Sequence, residues 1–371
     1  MAMKDISATR LERAQELLVA NGIDLMILTS SVDMLYLTGF TDEQRERLMF
    51  LMVPRPPREP VFVLPSLYET EVRTRTPIKD IRAWGDGQDP FAPVLDVLGS
   101  LGRQEPVIAV DEVMFARFLL PLVKRVRAAW TSAASVMVKL RQTKDAQEIA
   151  VMKEVGRLTD EVMARAVAAC RPGIEELTVA QLIRKSFIEL GAEPTAVVPI
   201  VATGPNGAMP HYRAGHRKMA RGDLVVMDFC GSIDGYWSDM TRTIGIGEVS
   251  EEARLVYRLV AEAHRAGVGK CLAGNTCGEV DAAARGIIAA GGYGESFIHR
   301  TGHGLGLEIH EEPQIVGGNP QVLEPGSVFS VEPGIYLPGR FGVRIEDCVV
   351  VNPDGPATEL THFPHDELII V

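Results

Sequence analysis

Four carboxylates and one histidine in the second half of this chain are of the types that hold divalent metal ions: Asp228, Asp239, His303, Glu332 and Glu346. The two aspartates lie in residues 224–243, where an apolar run meets Asp234-Gly235 and a second run leaves it. Asp-Gly between two such runs signals a two-residue hairpin turn. That turn pairs Ile233 with Tyr236, Cys230 with Asp239 and Asp228 with Thr241. Side chains alternate faces along a strand, so Asp228, Cys230, Asp239 and Thr241 share one face. The aspartates become diagonal neighbours, their Cβ atoms roughly 7–8 Å apart or a little less. Carboxylates so placed can converge on one or two metal ions, and the Thr241 hydroxyl can orient either aspartate. Taken alone, the pair reads as a strand end and a loop cap; the residues downstream change that reading.

The run His299-Arg-Thr-Gly-His303-Gly-Leu-Gly-Leu-Glu-Ile-His310 holds three histidines within 12 residues. Gly302, Gly304 and Gly306 argue against a helix, so this is not the helical His-Glu-x-x-His zinc pattern. The glycine spacing is not the dinucleotide fingerprint either. Glycines beside a histidine let the backbone crowd a metal or a substrate. Residues 327–332 read as a strand that carries Glu332 just before Pro333-Gly334, and Gly342-Val-Arg-Ile-Glu-Asp347 puts Arg344 and Glu346 on one face. Each glutamate alone would be an ion-pairing residue. Set into strands rich in Val, Ile and Phe, unpaired carboxylates are costly. Divalent cations reconcile four of them and a histidine with such strands. Oxygen-rich ligation fits Mn²⁺, Co²⁺ or Fe²⁺ at least as well as Zn²⁺ and argues against an all-thiolate zinc site. Two ions side by side activate water and polarise a carbonyl, which is hydrolase chemistry.

The elements that must position these residues belong to an ordinary globular chain. It has 371 residues, 46% hydrophobic and 23% charged, which suggests two domains. A net charge of −11 repels phosphate backbones and makes nucleic acid an unsuitable partner. No signal-peptide pattern opens the chain and no apolar run reaches the roughly 20 residues that span a bilayer, so a cytoplasmic protein without a membrane partner is expected. The five cysteines are odd in number and irregularly spaced, and read as reduced core thiols. All eight histidines follow residue 210, which assigns any histidine chemistry to the second part.

Up to about residue 140, helical and strand patterns alternate, which predicts an α/β domain over a mostly parallel or mixed sheet. Its first helix is expected over residues 8–21, with Ser7 as cap and Gly22 as stop. Strands are expected near 25–29, 48–53, 61–64, 81–84 and 107–110, and helices near 67–75, 91–101 and 115–126. Residues 41–47 form a charged loop. A connection over 132–143 leads to a long helix opened by Asp145-x-x-Glu148, a capping box with Asp as cap. Arg171-Pro-Gly ends it, and a second helix runs over 178–190. A strand over 198–202, the hairpin, helices over 250–271 and 277–290, and a strand-rich block over 297–351 follow. Two helices and a hairpin therefore occur twice. The tail to Val371 reads as a last strand.

These motifs together resemble the metallopeptidases of the pita-bread fold, which include methionine aminopeptidase, prolidase and aminopeptidase P. The matching pieces are Asp228, Ser238-Asp239-Met-Thr-Arg-Thr, Gly302-His303-Gly-Leu-Gly, Val331-Glu332-Pro-Gly and Val343-Arg344-Ile-Glu346-Asp347. They span roughly residues 195–350. The first 140 residues resemble the extra N-terminal domain of prolidase, aminopeptidase P and creatinase. The resemblance implies an α/β N-terminal domain over 1–140, serving dimerisation and cleft shaping. It implies an α+β pita-bread catalytic domain over 141–371. It implies two divalent ions per subunit, Mn²⁺ first, with Co²⁺ or Zn²⁺ as alternatives. Asp228 would hold one ion, Asp239 and Glu346 would bridge both, and His303 and Glu332 would complete the shell. Glu332 would double as general base, His310 would stabilise the tetrahedral intermediate, and His211, His299 and Arg344 would bind substrate. Four carboxylates balance two dications. The implied substrate is a peptide with proline at its second position, and the implied assembly a homodimer. The leading expectation is an Xaa-Pro dipeptidase. The alternatives are an Xaa-Pro aminopeptidase acting on longer peptides, or a metal-dependent non-peptidase on the same fold. Some archaeal prolidases that the chain resembles carry arginine where Gln314 stands, where it can pair with a dipeptide's carboxylate. That leaves the choice between dipeptidase and aminopeptidase open, with residues 40–47 as a loop that could cross a dimer interface and limit substrate length.

Overall fold

The computed structural model describes residues 3–43, 45–194 and 199–371. It divides into two units, Met1–Arg141 and Gln142–Val371. The first unit runs α1 (Met3–Ala20), β1 (Leu25–Leu28), α2 (Val32–Thr38), β2 (Phe50–Pro54), β3 (Val61–Pro65), α3 (Glu69–Arg75) and β4 (Asp80–Trp84). It continues with α4 (Ala92–Ser100), β5 (Val107–Val110), α5 (Ala116–Arg125), β6 (Ala129–Ser132) and α6 (Ala134–Arg141). Its six strands form a mixed sheet in the order β4-β3-β2-β1-β5-β6. The β1–β2 and β2–β3 pairs are antiparallel, and β3–β4, β1–β5 and β5–β6 are parallel. Strands β1, β2 and β3 are buried along their whole length, as continuous apolar runs require. This agrees with the α/β alternation of the sequence.

Two local expectations are corrected here. Ser7 lies inside α1, because the helix already begins at Met3. The segment expected as a connection, residues 132–143, takes in the last residue of β6 and then α6, whose Val136, Met137 and Leu140 are buried. Eight residues are too few for a strong periodic signal, and burial rather than propensity secures such a short helix. Gln44 of the charged loop, and the start of the strand expected at Val198, lie outside the described residues.

The second unit contains α7 (Ala146–Ala169), α8 (Glu176–Glu189), β7 (Ile200–Thr203), β8 (Leu224–Ile233), β9 (Tyr236–Gly245), α9 (Glu251–Val268) and α10 (Cys277–Ala290). Then come β10 (Gly302–Gly304), β11 (Glu311–Ile315), β12 (Val328–Val331), β13 (Gly334–Leu337), β14 (Phe341–Arg344), β15 (Asp347–Val350) and β16 (Thr358–Glu359). The capping box opens α7 as expected: Asp145 accepts from the amides of Gln147 and Glu148, and Glu148 accepts from the amide of Asp145. Sheets of order β7-β8-β9 and β11-β10-β12-β15-β16, plus the β13-β14 pair, stand against the helices. Phe187 of α8 meets Phe229 of β8 edge-on, with ring centroids 5.8 Å apart. After α9 and α10 the chain does not repeat the long hairpin; it distributes short strands over two sheets. The tail is not a full strand either. It pairs through a single parallel bridge, Gly245 with Ile370, since its Pro364 and the polar residues 365–367 interrupt a ladder.

Candidate metal centre

The hairpin of β8 and β9 delivers the aspartates. Asp234 and Gly235 take φ of 49° and 78°, the double left-handed turn that suits the twist of two paired strands. The register follows: Asp228 faces Thr241, Cys230 faces Asp239 and Ile233 faces Tyr236. Glu346, between β14 and β15, joins this face because its amide donates to the Thr241 carbonyl at 3.1 Å.

β10 delivers His303. A Cβ on Gly302 would stand 1.8 Å from the Ser330 carbonyl oxygen, and one on Gly304 2.3 Å from that of Glu312. Glycine at both positions is what lets β10 lie so tightly between its neighbours. The His303 amide donates to Ser330 Oγ at 3.1 Å. Its ring Nδ1 lies 3.0 Å from the Gly304 carbonyl oxygen. A carbonyl only accepts, so Nδ1 carries the proton and the Nε2 lone pair is left for a metal. That Nε2 lies 3.4 Å from Glu332 Oε1 and 4.0 Å from Asp239 Oδ2. Glu332 is anchored by its amide to the Thr301 carbonyl at 2.7 Å and accepts from Ser330 Oγ at 3.3 Å.

One ligand atom each from Asp239, His303 and Glu346 fall within 4.8 Å of one another. Asp228 and Glu332 line the same cavity, about 910 Å³ in volume, as do His211, His299, His310 and Arg344. Burial pushes the Asp239 carboxyl well above the usual range, and the Asp228 charge adds to the effect. Burial and the Asp239 charge do the same to Glu346. Glu332 is pushed up to about 7, chiefly by burial, with Arg344 opposing and Asp228 reinforcing. Burial holds His303 down to about 3 and lowers His310 as well, so both imidazoles are neutral and can donate a lone pair.

Arg344 is held by the protein through all three of its guanidinium nitrogens. It forms a short ion pair with Asp228 Oδ2, donates from Nη1 to the Tyr336 hydroxyl at 2.7 Å and from Nε to Thr241 Oγ1 at 3.0 Å. Thr241 in turn donates to Glu346 Oε2 at 2.6 Å. It therefore orients Glu346 and not, as the hairpin alone suggested, either aspartate; the approach of Glu346 across the sheet is invisible in the hairpin's own sequence. One guanidinium cannot neutralise four converging carboxylates. Crowded acids with raised protonation, and a histidine lone pair aimed among them, fit a pair of divalent cations.

The N-terminal part, residues 10–143, matches the Creatinase/Prolidase N-terminal domain, and residues 150–353, more than half of the chain, match Metallopeptidase family M24. The chain belongs to metallopeptidase family M24. A probable dipeptidase PepE of Mycobacterium bovis is 40% identical over 99% of this chain and 97% of its own length. An Xaa-Pro dipeptidase of Lactobacillus helveticus is 34% identical over 97% and 98%. The crystal structure of dipeptidase PepE from Mycobacterium ulcerans superposes with a TM-score of 0.93 at 38% identity, covering 100% of this chain and 99% of that one. The protein is thus a metallopeptidase whose family uses divalent metal ions. Among the described residues no helix is long and apolar enough to cross a membrane.

Three residues of this M24 site escaped the reading of the sequence. Arg300 lines the cavity and forms a short hydrogen bond to Gln314 Oε1. It sits in the histidine run itself, between His299 and His303. Tyr336 accepts from Arg344, and its hydroxyl lies 2.9 Å from His299 Nε2. His299 Nδ1 is 2.6 Å from the Arg300 carbonyl oxygen, so Nδ1 bears the proton and Nε2 accepts from Tyr336. Glu176, fully buried, accepts from the Thr203 amide at 2.8 Å, Asn206 Nδ2 at 2.9 Å, the Tyr212 hydroxyl at 2.9 Å and the Gly215 amide at 3.2 Å. It thereby ties down the loop that presents His211 to the cavity. In sequence Glu176 looks like an ordinary acid in the first turn of a helix.

Proposed function

We propose that this M24 enzyme is an Xaa-Pro dipeptidase, with two divalent ions held by Asp228, Asp239, His303, Glu332 and Glu346. Mn²⁺ is the first choice of metal for so oxygen-rich a set, ahead of Co²⁺ and Zn²⁺. The observation that carries the reading is the meeting of this acidic set and the cationic Arg300 in a single cavity. Asp228, Asp239 and Glu346 would supply carboxylate ligands to the ions, and His303 and Glu332 would complete the set. Bound there, the ions supply Lewis acidity toward an amide carbonyl and toward water.

The protein's own groups do the rest. Glu332 takes the proton from the attacking water and passes it to the leaving proline nitrogen, a transfer for which a carboxylate inside the shell is well placed. His310, edge-on to His303 with ring centroids 4.2 Å apart, donates a hydrogen bond to the carbonyl oxygen as it gains charge. His211 and His299 flank the substrate. The Xaa-Pro amide has no N–H, so its recognition depends on ring shape rather than on an amide donor. Arg344 is already held by Asp228, Tyr336 and Thr241, so we assign the reading of a dipeptide's carboxylate chiefly to Arg300. It hydrogen-bonds Gln314, so a guanidinium reaches that position from the segment just before β10. This predicts cleavage of dipeptides ending in proline, the activity for which its Lactobacillus relative is named.

The test uses metal-stripped protein with Mn²⁺ restored and two substrates, an Xaa-Pro dipeptide and the same dipeptide extended by one residue. Cleavage confined to the dipeptide supports the reading; preference for the longer peptide replaces it with an Xaa-Pro aminopeptidase. Arg300→Gln is expected to lower kcat/KM for the dipeptide by about 10–100-fold, the value of a charge-assisted hydrogen bond. It should leave the extended peptide nearly unaffected, and equal losses on both substrates would contradict the assignment of Arg300. We also assign homodimerisation to residues 1–140 and a cytoplasmic setting to the protein. Sedimentation of the full chain at twice the monomer mass supports the first, and monomer alone refutes it.

A further inference from the structure

Behind Glu346 the next residue, Asp347, points to the opposite face of the chain, as successive residues of a strand do. Its surroundings are unlike those of the acidic centre. Oδ1 accepts from Arg242 Nη2 and from Thr361 Oγ1, each at 2.6 Å. Oδ2 faces two imidazoles instead: Nε2 of His264, on α9, and Nε2 of His365, in the C-terminal tail, each stand 3.3 Å from it. Neither approach has hydrogen-bond alignment. Asp347 Oδ2, both ring nitrogens of His264 and Nδ1 of His365 are buried with no hydrogen-bond partner. His264 is 1% exposed and Asp347 0%, so leaving these atoms unmatched costs free energy that water does not offset.

We propose that His264, Asp347 and His365 form a second, structural site for a divalent transition-metal ion of the zinc class. The spacing fits such an ion. Metal bonds of about 2.0–2.1 Å in a tetrahedron put ligand atoms roughly 3.3 Å apart. The rings meet at 75° with centroids 4.7 Å apart and do not stack, and both bring Nε2 to 3.3 Å from Asp347 Oδ2. Burial keeps His264 neutral, with its ordinary value pulled down to about 3, which is the ligating form. The field suits a cation as well. Glu359 and Asp366 act on this cluster together with Asp347, against Arg242 and Arg265. Two nitrogens and one carboxylate select zinc-class ions over Mn²⁺, so this site and the acidic centre differ in metal preference. The His365 side chain is 15% exposed, which leaves an entry path.

The ion would tie α9 and the C-terminal tail to the start of β15. Arg242, held by Asp347, also donates from Nη1 to the Glu346 carbonyl at 2.6 Å. The site therefore braces the main chain of Glu346 from behind and takes no part in the chemistry. The proposal does not depend on the peptidase reading.

The experiment measures bound metal in the full-length chain after loading with zinc and gel filtration, and the visible spectrum after loading with Co²⁺. Asp239→Asn, which cripples the acidic centre, is expected to retain one tightly held zinc and an intense tetrahedral Co²⁺ band. His365→Ala, at the exposed edge of the cluster, is expected to lose one equivalent relative to the parent, together with that band, while still cleaving peptide. Equal zinc content in His365→Ala and the parent, with no tetrahedral band in either, would overturn the site and leave a hydrogen-bonded His-Asp-His cluster. Should His365→Ala fail to fold, the parent decides: a Co²⁺ spectrum holding only weak five- or six-coordinate bands refutes the proposal.

Discussion

In the N-terminal unit, Asp24 and Asp111 are buried and each has partners of its own. Asp24 lies 3.4 Å from Arg55 and 3.3 Å from Arg103, and accepts from the Val107 amide at 2.9 Å. Asp111 accepts from Ser31 Oγ at 2.6 Å, from the Val113 amide at 3.1 Å and from the Thr29 amide at 3.3 Å. In the second unit, Asp228, Asp239, Glu332 and Glu346 share a single ion-paired guanidinium and the hydroxyls of Thr241 and Ser330. The contrast separates two uses of buried acid. A carboxylate with private donors maintains a fold, whereas carboxylates gathered around one cation leave charge that only further cations can balance.

The hardest way to break the contrast is to remove one acid from the shared set. Asp239→Asn is expected to lower kcat/KM on the order of 10³-fold or more, because it deletes several kcal/mol of metal-borne charge stabilisation. Metal content should fall with it, and the melting temperature of the metal-free form should not fall, since a repelling charge is gone. Thr241→Val removes a donor to Glu346 without touching substrate. It is expected to cost about 10–100-fold in metal affinity, read by titration with Mn²⁺. Asp111→Asn sharpens the contrast from the other side. Turning one acceptor into a donor against three donors is expected to cost about 1–3 kcal/mol in denaturant unfolding while leaving kcat/KM per folded molecule unchanged.

How far the sequence discloses this site depends on whether the relevant contacts are local. Asp234-Gly235 dictates a turn, the turn dictates a register, and the register places Asp228 and Asp239 on one face before any fold is known. The capping box at Asp145 and Glu148 is local in the same sense. Thr241 shows where this reasoning stops: its face could be read, but its partner Glu346, 105 residues away, could not. Glu176 is harder still, since four donors from residues 203–215 converge on an acid that looks like helix dressing. Arg300 was in plain view, but its relation to Gln314 needs the pairing of β10 with β11. The cluster of His264, Asp347 and His365 joins three distant segments and has no sequence signature. Misreadings in the N-terminal unit, at Ser7 and at α6, concern short segments whose state is set by packing, which propensity cannot see.

The most direct test of the unbalanced acidic centre is the melting temperature of the metal-stripped protein against pH, with and without Mn²⁺. Glu332, Asp239 and Glu346 are all raised in the folded, metal-free state. A carboxyl raised on folding favours the fold at low pH, and that contribution is lost as pH climbs through the folded value, about 7 for Glu332. The stripped protein should therefore lose stability between about pH 5 and 8. Mn²⁺ should restore it, with a larger rise at higher pH as binding displaces protons. A stripped protein whose stability is flat or rising across that window, and which Mn²⁺ does not raise, would contradict the account.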